Sequence, residues 1–277
     1  MASRRLRLIA GLLILASLGL VIAIQPSRPP GPPALPQPNG YDDFIEAGAL
    51  LTGGTEDYLT MDAAQLRALT QRNAAALARM RVGLTRECRV PMDTSATRGH
   101  AVAELPTQKR LVRAVLAEGR LAELERHPSD AAARCVEALR LSHEAARGGL
   151  LLEHLVSLSA QSLALGQLQT ILPSLDARTC RQLIDQLETI ESRREPAEET
   201  LRMERLWFSR AFDFWHRLQY RLLTRSLDPT RAEHSSYLTR LQALMARQTQ
   251  LRLALARQAD QLDHGPPATD APVPPGK

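Results

Sequence analysis

TMDAAQLRALTQRNAAALARMRVGLT, residues 60–85, is the stretch that decides the fold. Leu66, Leu69, Asn73, Leu77, Met80 and Leu84 recur at steps of 3, 4, 4, 3 and 4. At 3.6 residues per turn such positions gather on one side of a helix. The stretch therefore reads as one helix, capped by Thr60 and running to Thr85, with a single asparagine in an apolar seam. A strand would need apolar residues alternating at period two, and no sustained alternation of β-branched residues occurs in the chain. The seam covers under three heptads and lacks a sustained flanking charge pattern. It therefore fits a helix of an intramolecular bundle better than a coiled-coil dimer with Asn73 setting the register.

Outward from this helix, Gly and Pro punctuate a series of further ones. Gly40 to Leu51 reads as a short helix with Tyr41, Phe44, Ile45 and Ala49 on one side, ended by Gly53-Gly54. Arg89 to Glu104, with Pro91 and Gly99, reads as a loop. Pro106 opens a helix to about Arg126, and Ser129 caps the next through Arg147. After the Gly148-Gly149 break a helix runs from Leu150 to Leu172, stopped by Pro173. Asp176 caps another to about Arg194; Pro196 begins one to about Ser226, and Pro229 begins the last, to about Asp263.

Helices joined by short turns pack as antiparallel neighbours. The expected fold is all-α, an irregular antiparallel helical bundle or short helical array over residues 39–264. LAELERHPSDAA at 121–132 is similar to the junction between tetratricopeptide units, but no fixed period follows, so any array is irregular. The tail, 265–277, holds five prolines and reads as disordered.

The N-terminus addresses a membrane. Arg4, Arg5 and Arg7 precede the uncharged run Leu8 to Ile24, LIAGLLILASLGLVIAI. As a helix it spans roughly 26 Å against a hydrocarbon core of about 30 Å, short for spanning but long for a cleaved signal. The reading favoured is a single-pass transmembrane helix at 8–24 that contacts the lipid bilayer of the inner (cytoplasmic) membrane. The arginines place a cytoplasmic stub at 1–7 and an extracytoplasmic body beyond. Seven prolines between Pro26 and Pro38 make residues 25–38 a Pro-rich linker, an extended stalk. The alternative is a secreted soluble protein, cleaved after Val21-Ile22-Ala23.

Composition narrows the function classes. The net charge is +5, yet of the 35 basic residues all but Lys109 and Lys277 are arginine, the mark of GC-rich coding spread along the chain. A nucleic-acid footprint would be clustered on one face, so nucleic acid is not an expected partner. Cys88, Cys135 and Cys180 form no CxxC pair and read first as buried thiols. No GxSxG elbow, Walker loop or Rossmann glycine pattern is present, and neither an enzyme nor a cofactor is expected.

Two constellations stand out. His143-Glu144 and Glu153-His154 carry the residue types of a metal site. They would converge only if the chain folded back at Gly148-Gly149; a metal-dependent enzyme using His143 and His154 is the lesser reading, and solvated helix faces the greater. Leu206 to Arg225, LWFSRAFDFWHRLQYRLLTR, holds six of the ten aromatic residues. On a helix, Leu201, Phe208, Phe212, Trp215 and Leu222 share one face, expected to pack on the body. Trp207, Arg210, Phe214, Arg217, Arg221 and Arg225 share the other, which fits a protein partner's carboxylates or an anionic lipid surface.

Asn-Gly-Tyr-Asp-Asp-Phe at 39–44, Gly148-Gly149-Leu150, Arg194-Glu195-Pro196 and a last Arg/Leu/Ala helix ending at His264-Gly265 follow the stalk. This layout resembles uncharacterised single-pass membrane-anchored helical proteins of planctomycete-like bacteria. The resemblance implies a membrane-anchored helical protein and no activity. The function expected from the sequence is that of an extracytoplasmic interaction or scaffold protein.

Overall fold

Asn39 starts the body by serving two segments at once. Its Oδ1 accepts the amide of Tyr41 at 3.2 Å, capping helix α1 (Gly40–Leu50), and also the amide of Arg89 at 3.0 Å. Its Nδ2 donates to the Arg89 carbonyl at 2.8 Å. The computed structural model describes residues 33–55, 57–92, 99–212 and 229–264. From Ala34 on they belong to one compact unit, all-helical among the described residues. No helix among them is long and apolar enough to cross a membrane. The run 8–24 lies outside the described residues, as does the tail.

The decisive stretch folds as two helices. Asp62 supplies the N-cap of α2 (Ala63–Arg72) in place of Thr60: it accepts the Gln65 amide at 2.8 Å while Gln65 Oε1 accepts the Asp62 amide at 3.0 Å. This reciprocal capping box satisfies two otherwise unpaired amides, whereas the Thr60 hydroxyl turns to the Asp57 carbonyl at 2.9 Å. The helix breaks at Asn73 and resumes as α3 (Ala74–Leu84). Asn73 Oδ1 accepts the Thr52 amide at 2.8 Å, and Nδ2 donates to the carbonyls of Thr52 and Leu69 at 3.1 and 3.0 Å. All six seam residues are buried within the chain. The seam packs inward, and its asparagine pins the end of α1.

Helix α1 crosses α3 at bare backbone. A Cβ on Gly83 would stand 2.7 Å from Phe44 Cε1 and 2.8 Å from the Gly40 carbonyl oxygen. Beside this contact, Asp43 is 1 % exposed and held by Arg86 Nη1 at 2.8 Å and Arg79 Nη2 at 2.8 Å.

Helix α4 (Gly99–Leu124) contains Pro106 instead of starting there. The turn before the proline is anchored to α1: Tyr41 Oη donates to Glu104 Oε2 at 2.7 Å, and Leu105 is buried. These contacts offset the backbone bond that proline removes. Helix α5 (Pro128–Glu144) starts at Pro128, with His127 at the N-cap position making no side-chain cap bond, so Ser129 lies inside it and meets the Thr179 hydroxyl at 3.1 Å. Helix α6 (Leu151–Ile171) passes through a short 3₁₀ turn into α7 (Ala177–Ser192), capped by Asp176.

Helix α8 (Ala197–Ala211) ends well short of Ser226: Phe212 is extended at φ −119°, ψ 139°, and residues 213–228 lie outside the described ones. Helix α9 (Pro229–His264) closes the body. In packing, α1 lies on α3, α2 on α4, α4 on α5, and α5 on α6 and α7; α9 covers α7 and α6. One apolar core runs through them. Its α9 seam, Tyr237, Leu241, Leu244, Leu251 and Leu255, is buried, with Gln248 buried among these residues.

Candidate functional site

Three glutamates fix the turn on which the site is built. The amides of Gly148, Leu150 and Leu151 donate to Glu195 Oε2 at 2.9 Å, Glu153 Oε2 at 3.0 Å and Glu204 Oε2 at 2.9 Å. These lie at or just before the start of α6, where unpaired amides and the helix dipole favour negative charge. Gly148 has φ +73°, and a Cβ there would stand 2.9 Å from Arg89 Cγ, so glycine alone fits. The chain thus does fold back at Gly148-Gly149, and α5 packs on α6.

The fold-back brings His143 of α5 and His154 of α6 to one small, partly open chamber of about 20 Å³. Ser157, Gln161, Arg147, Arg194, Glu195 and Tyr237 line it with them. Glu153 is not part of it, since its carboxylate is spent on the Leu150 amide. Its place beside His154 is taken by Glu195, with Oε2 3.4 Å from Nε2. Burial pushes the Glu195 carboxyl up, but His154, the Gly148 amide and the more distant Arg89 outweigh it and hold the group below its ordinary value. Glu144 behaves alike: burial raises it, while His143, Arg147 and Arg193 together lower it further.

Opposite stands Arg194. Its Nη2 donates to Gln248 Oε1 at 2.8 Å and to Gln161 Oε1 at 3.4 Å, and burial pulls the group below an arginine's ordinary value. Gln161 Nε2 in turn donates to Ser157 Oγ at 2.8 Å, whose hydroxyl is given to the Ser142 carbonyl at 2.6 Å. Ser157 is therefore engaged with backbone and not with His154. Tyr237 lies edge-on to His154, ring centroids 6.1 Å apart, with its hydroxyl 3.4 Å from that of Thr200. Among the described residues no group of three His, Cys, Asp or Glu is placed to share a metal ion.

His143 also lines an open groove of about 480 Å³ between α5 and α7. Arg134 and Glu137 are paired at 2.6 Å on its wall, and Arg81 of α3 completes a network by binding Glu137 at 2.8 Å and Glu118. Arg140 gives one bond to the Leu84 carbonyl at 3.2 Å. Among the described residues neither Arg140, Arg193 nor Asp185 has an oppositely charged group within 4.0 Å. Val136 and Ile190 form the buried apolar floor.

The arginine-aromatic face is described only in part. Phe214, Arg217, Arg221 and Arg225 lie outside the described residues. Arg210 is exposed, while Trp207, expected on the outward face, packs with Met92 against the buried Leu150, Met203 and Leu206 and lies 5.7 Å edge-on from Phe212. Thr200, Met203 and Leu206 set the buried face of α8. Phe214 and Trp215, on which the expected phase also rested, lie outside the described residues.

Cys88, Cys135 and Cys180 are buried and unpaired, and burial pushes the thiols of Cys88 and Cys135 up to about 12. Burial thus favours the protonated thiol over the thiolate at these two positions. Arg194, Glu195 and Tyr237 did not stand out as site residues in sequence. The only signal was Arg194-Glu195-Pro196 as a helix-start mark, for which the spacing names no chemistry. No protein-family model, curated protein or solved structure matches the chain.

Proposed function

We propose that this is a membrane-anchored extracytoplasmic protein that works by binding. In this reading the apolar run 8–24 holds it in the inner membrane and the proline-rich stretch 25–38 stands it off the surface. The body, a short helical array, presents the α5–α7 groove to an acidic segment of a partner protein. The observation that carries the reading is the groove itself: about 480 Å³, open, with Arg140 and Arg193 outside any ion pair among the described residues. Guanidinium groups not already engaged by carboxylates, set over an apolar floor, suit recognition of carboxylates on an extended segment. Asp185 adds one negative charge, so a segment with carboxylates flanking a basic residue fits better than a uniformly acidic one.

The test is photocrosslinking in cells from a benzophenone side chain at Gln186 on the groove wall. A discrete adduct is expected, lost in the double variant Arg140→Glu, Arg193→Glu; an adduct unchanged by that reversal would retire the groove as the binding surface. The N-terminal residue of the mature protein decides the anchor. Met1 or Ala2 supports it, and Ile24 would make the protein secreted instead.

A further inference from the structure

The α5–α7 groove begins close to where the chain leaves the body. Helix α9 runs antiparallel to α7: Arg252 Nη1 lies 3.3 Å from Glu191 Oε2 and 3.2 Å from Glu188 Oε1, and further on Asp263 Oδ2 lies 2.5 Å from Arg181 Nη1. His264, the last residue of α9, is therefore set at the Arg181 end of α7. One turn on from Arg181 the groove starts at Asp185, and it follows α7 through Gln186, Thr189 and Ile190 to Arg193. Helix α5 runs alongside in the same direction, with Ser129 at Thr179 and Glu144 near enough to Arg193 to feel its charge from beyond 4.0 Å. Arg140 and Arg193 thus stand exposed towards the far end of the groove.

Residues 265–277, GPPATDAPVPPGK, follow His264 directly. Gly265 permits the chain to turn back after a helix, and the five prolines favour an extended backbone that docks with little loss of freedom. Asp270 is the one acidic residue of the segment. At about 3.1 Å per extended residue it reaches roughly 19 Å from His264, which matches the rise of about 18 Å along α7 from Arg181 to Arg193. Val136 and Ile190 offer the prolines and Val273 an apolar floor. We infer that residues 265–277 lie in the α5–α7 groove of their own chain, with the Asp270 carboxylate on Arg140 and Arg193, as a built-in competitor for the partner segment. The tether supplies an effective concentration of about a millimolar, so one ion pair over an apolar strip is enough to hold the segment in place. The inference rests on the reading of the groove as a site for an extended acidic segment.

The experiment photocrosslinks the purified full-length chain in detergent from a benzophenone side chain at Gln186 and maps the adduct by tandem mass spectrometry. A control benzophenone at Glu188 stands on the same helix but faces Arg252 of α9 instead of the groove. The expected result is an adduct within one chain to residues 265–277 from Gln186 and none from Glu188. Asp270→Lys lowers its yield by about threefold or more, as does Arg140→Glu with Arg193→Glu, and all three substitutions together restore it. No adduct to 265–277, equal yields from the two positions, a yield that neither reversal changes, or an adduct joining two copies would overturn the inference. Ending the chain after His264 tells this inference apart from the groove reading. In cells, that truncation is expected to raise the partner adduct from Gln186, and an unchanged partner adduct would refute the competition. Absence of the 265–277 adduct while the partner adduct persists sinks the inference and leaves the groove reading standing. A 265–277 adduct with no partner adduct even from the truncated chain keeps the inference and retires the partner.

Discussion

Asp43 and Arg194 are both charged groups drawn into the body, and they are treated in opposite ways. Asp43 is 1 % exposed and clamped by Arg79 and Arg86 at the crossing of α1 and α3, so its charge is closed locally and the site has nothing left to offer a ligand. Arg194 is hydrogen-bonded to amide carbonyls beside a chamber, with no described carboxylate within 4.0 Å; Glu191 acts on it only from further off, so its charge stays open to that extent. Removing one member of a closed ion pair leaves its partners uncompensated, whereas an open charge contributes no pairing that folding would lose. The contrast separates a charge closed by ion pairs from one held by neutral hydrogen bonds.

The largest expected effect is at the closed end. Asp43→Ala leaves two arginines without their shared carboxylate and should cost about 3 kcal/mol in urea unfolding, the low end for a broken buried pair because the arginines are about a third exposed. A loss under about 1 kcal/mol would mean that the clamp is ornamental and would blur the comparison. Asn73→Ala comes next. It strips the Thr52 amide and carbonyl and the Leu69 carbonyl of their partner, for a cost of about 2 kcal/mol by the same measurement.

Glu195 sharpens the contrast on the chamber side through pH. Its folded carboxyl lies below the ordinary value of 4.5, so it contributes stability that is present above that pH and lost as pH falls through the folded value. Glu195→Gln should therefore flatten the loss of stability below about pH 4.5 relative to the native chain. An unchanged acid limb would show that the carboxylate is not held by His154 and the Gly148 amide. The smallest effect is expected at Asp62→Ala, about 1 kcal/mol from losing the capping box, measured by thermal unfolding.

How much was legible follows from how local each signal is. The Asp176 cap, the Pro229 start and the Gly148-Gly149 fold-back rest on residues adjacent in sequence, and they stand where the residue types put them. Thr60 lost the α2 cap to Asp62 because a Gln three positions after Asp62 completes a capping box. The helix expected to be unbroken from Thr60 to Thr85 parts at Asn73, since the side chain answers a backbone twenty-one residues away at Thr52. Pro106 sits inside α4 for the same kind of reason, a contact with Tyr41 that no local pattern announces.

At the site, the two histidines were legible as a pair that would meet if the chain turned back, and they line one chamber. Their companions were not legible: Glu195 replaces Glu153 because Glu153 caps its own helix. Arg194 joins from a connection between α7 and α8 that only the tertiary fold brings near.

The central claim is that the Arg194 charge is held open while the Asp43 charge is closed. Urea unfolding of Arg194→Met beside Asp43→Asn tests it most directly. The prediction is that Arg194→Met stays within about 1 kcal/mol of the native chain, the lost amide bonds being offset by removal of a desolvated charge with no carboxylate within 4.0 Å, while Asp43→Asn loses well over that. Equal, large losses in both variants would contradict it and make Arg194 one more structural brace.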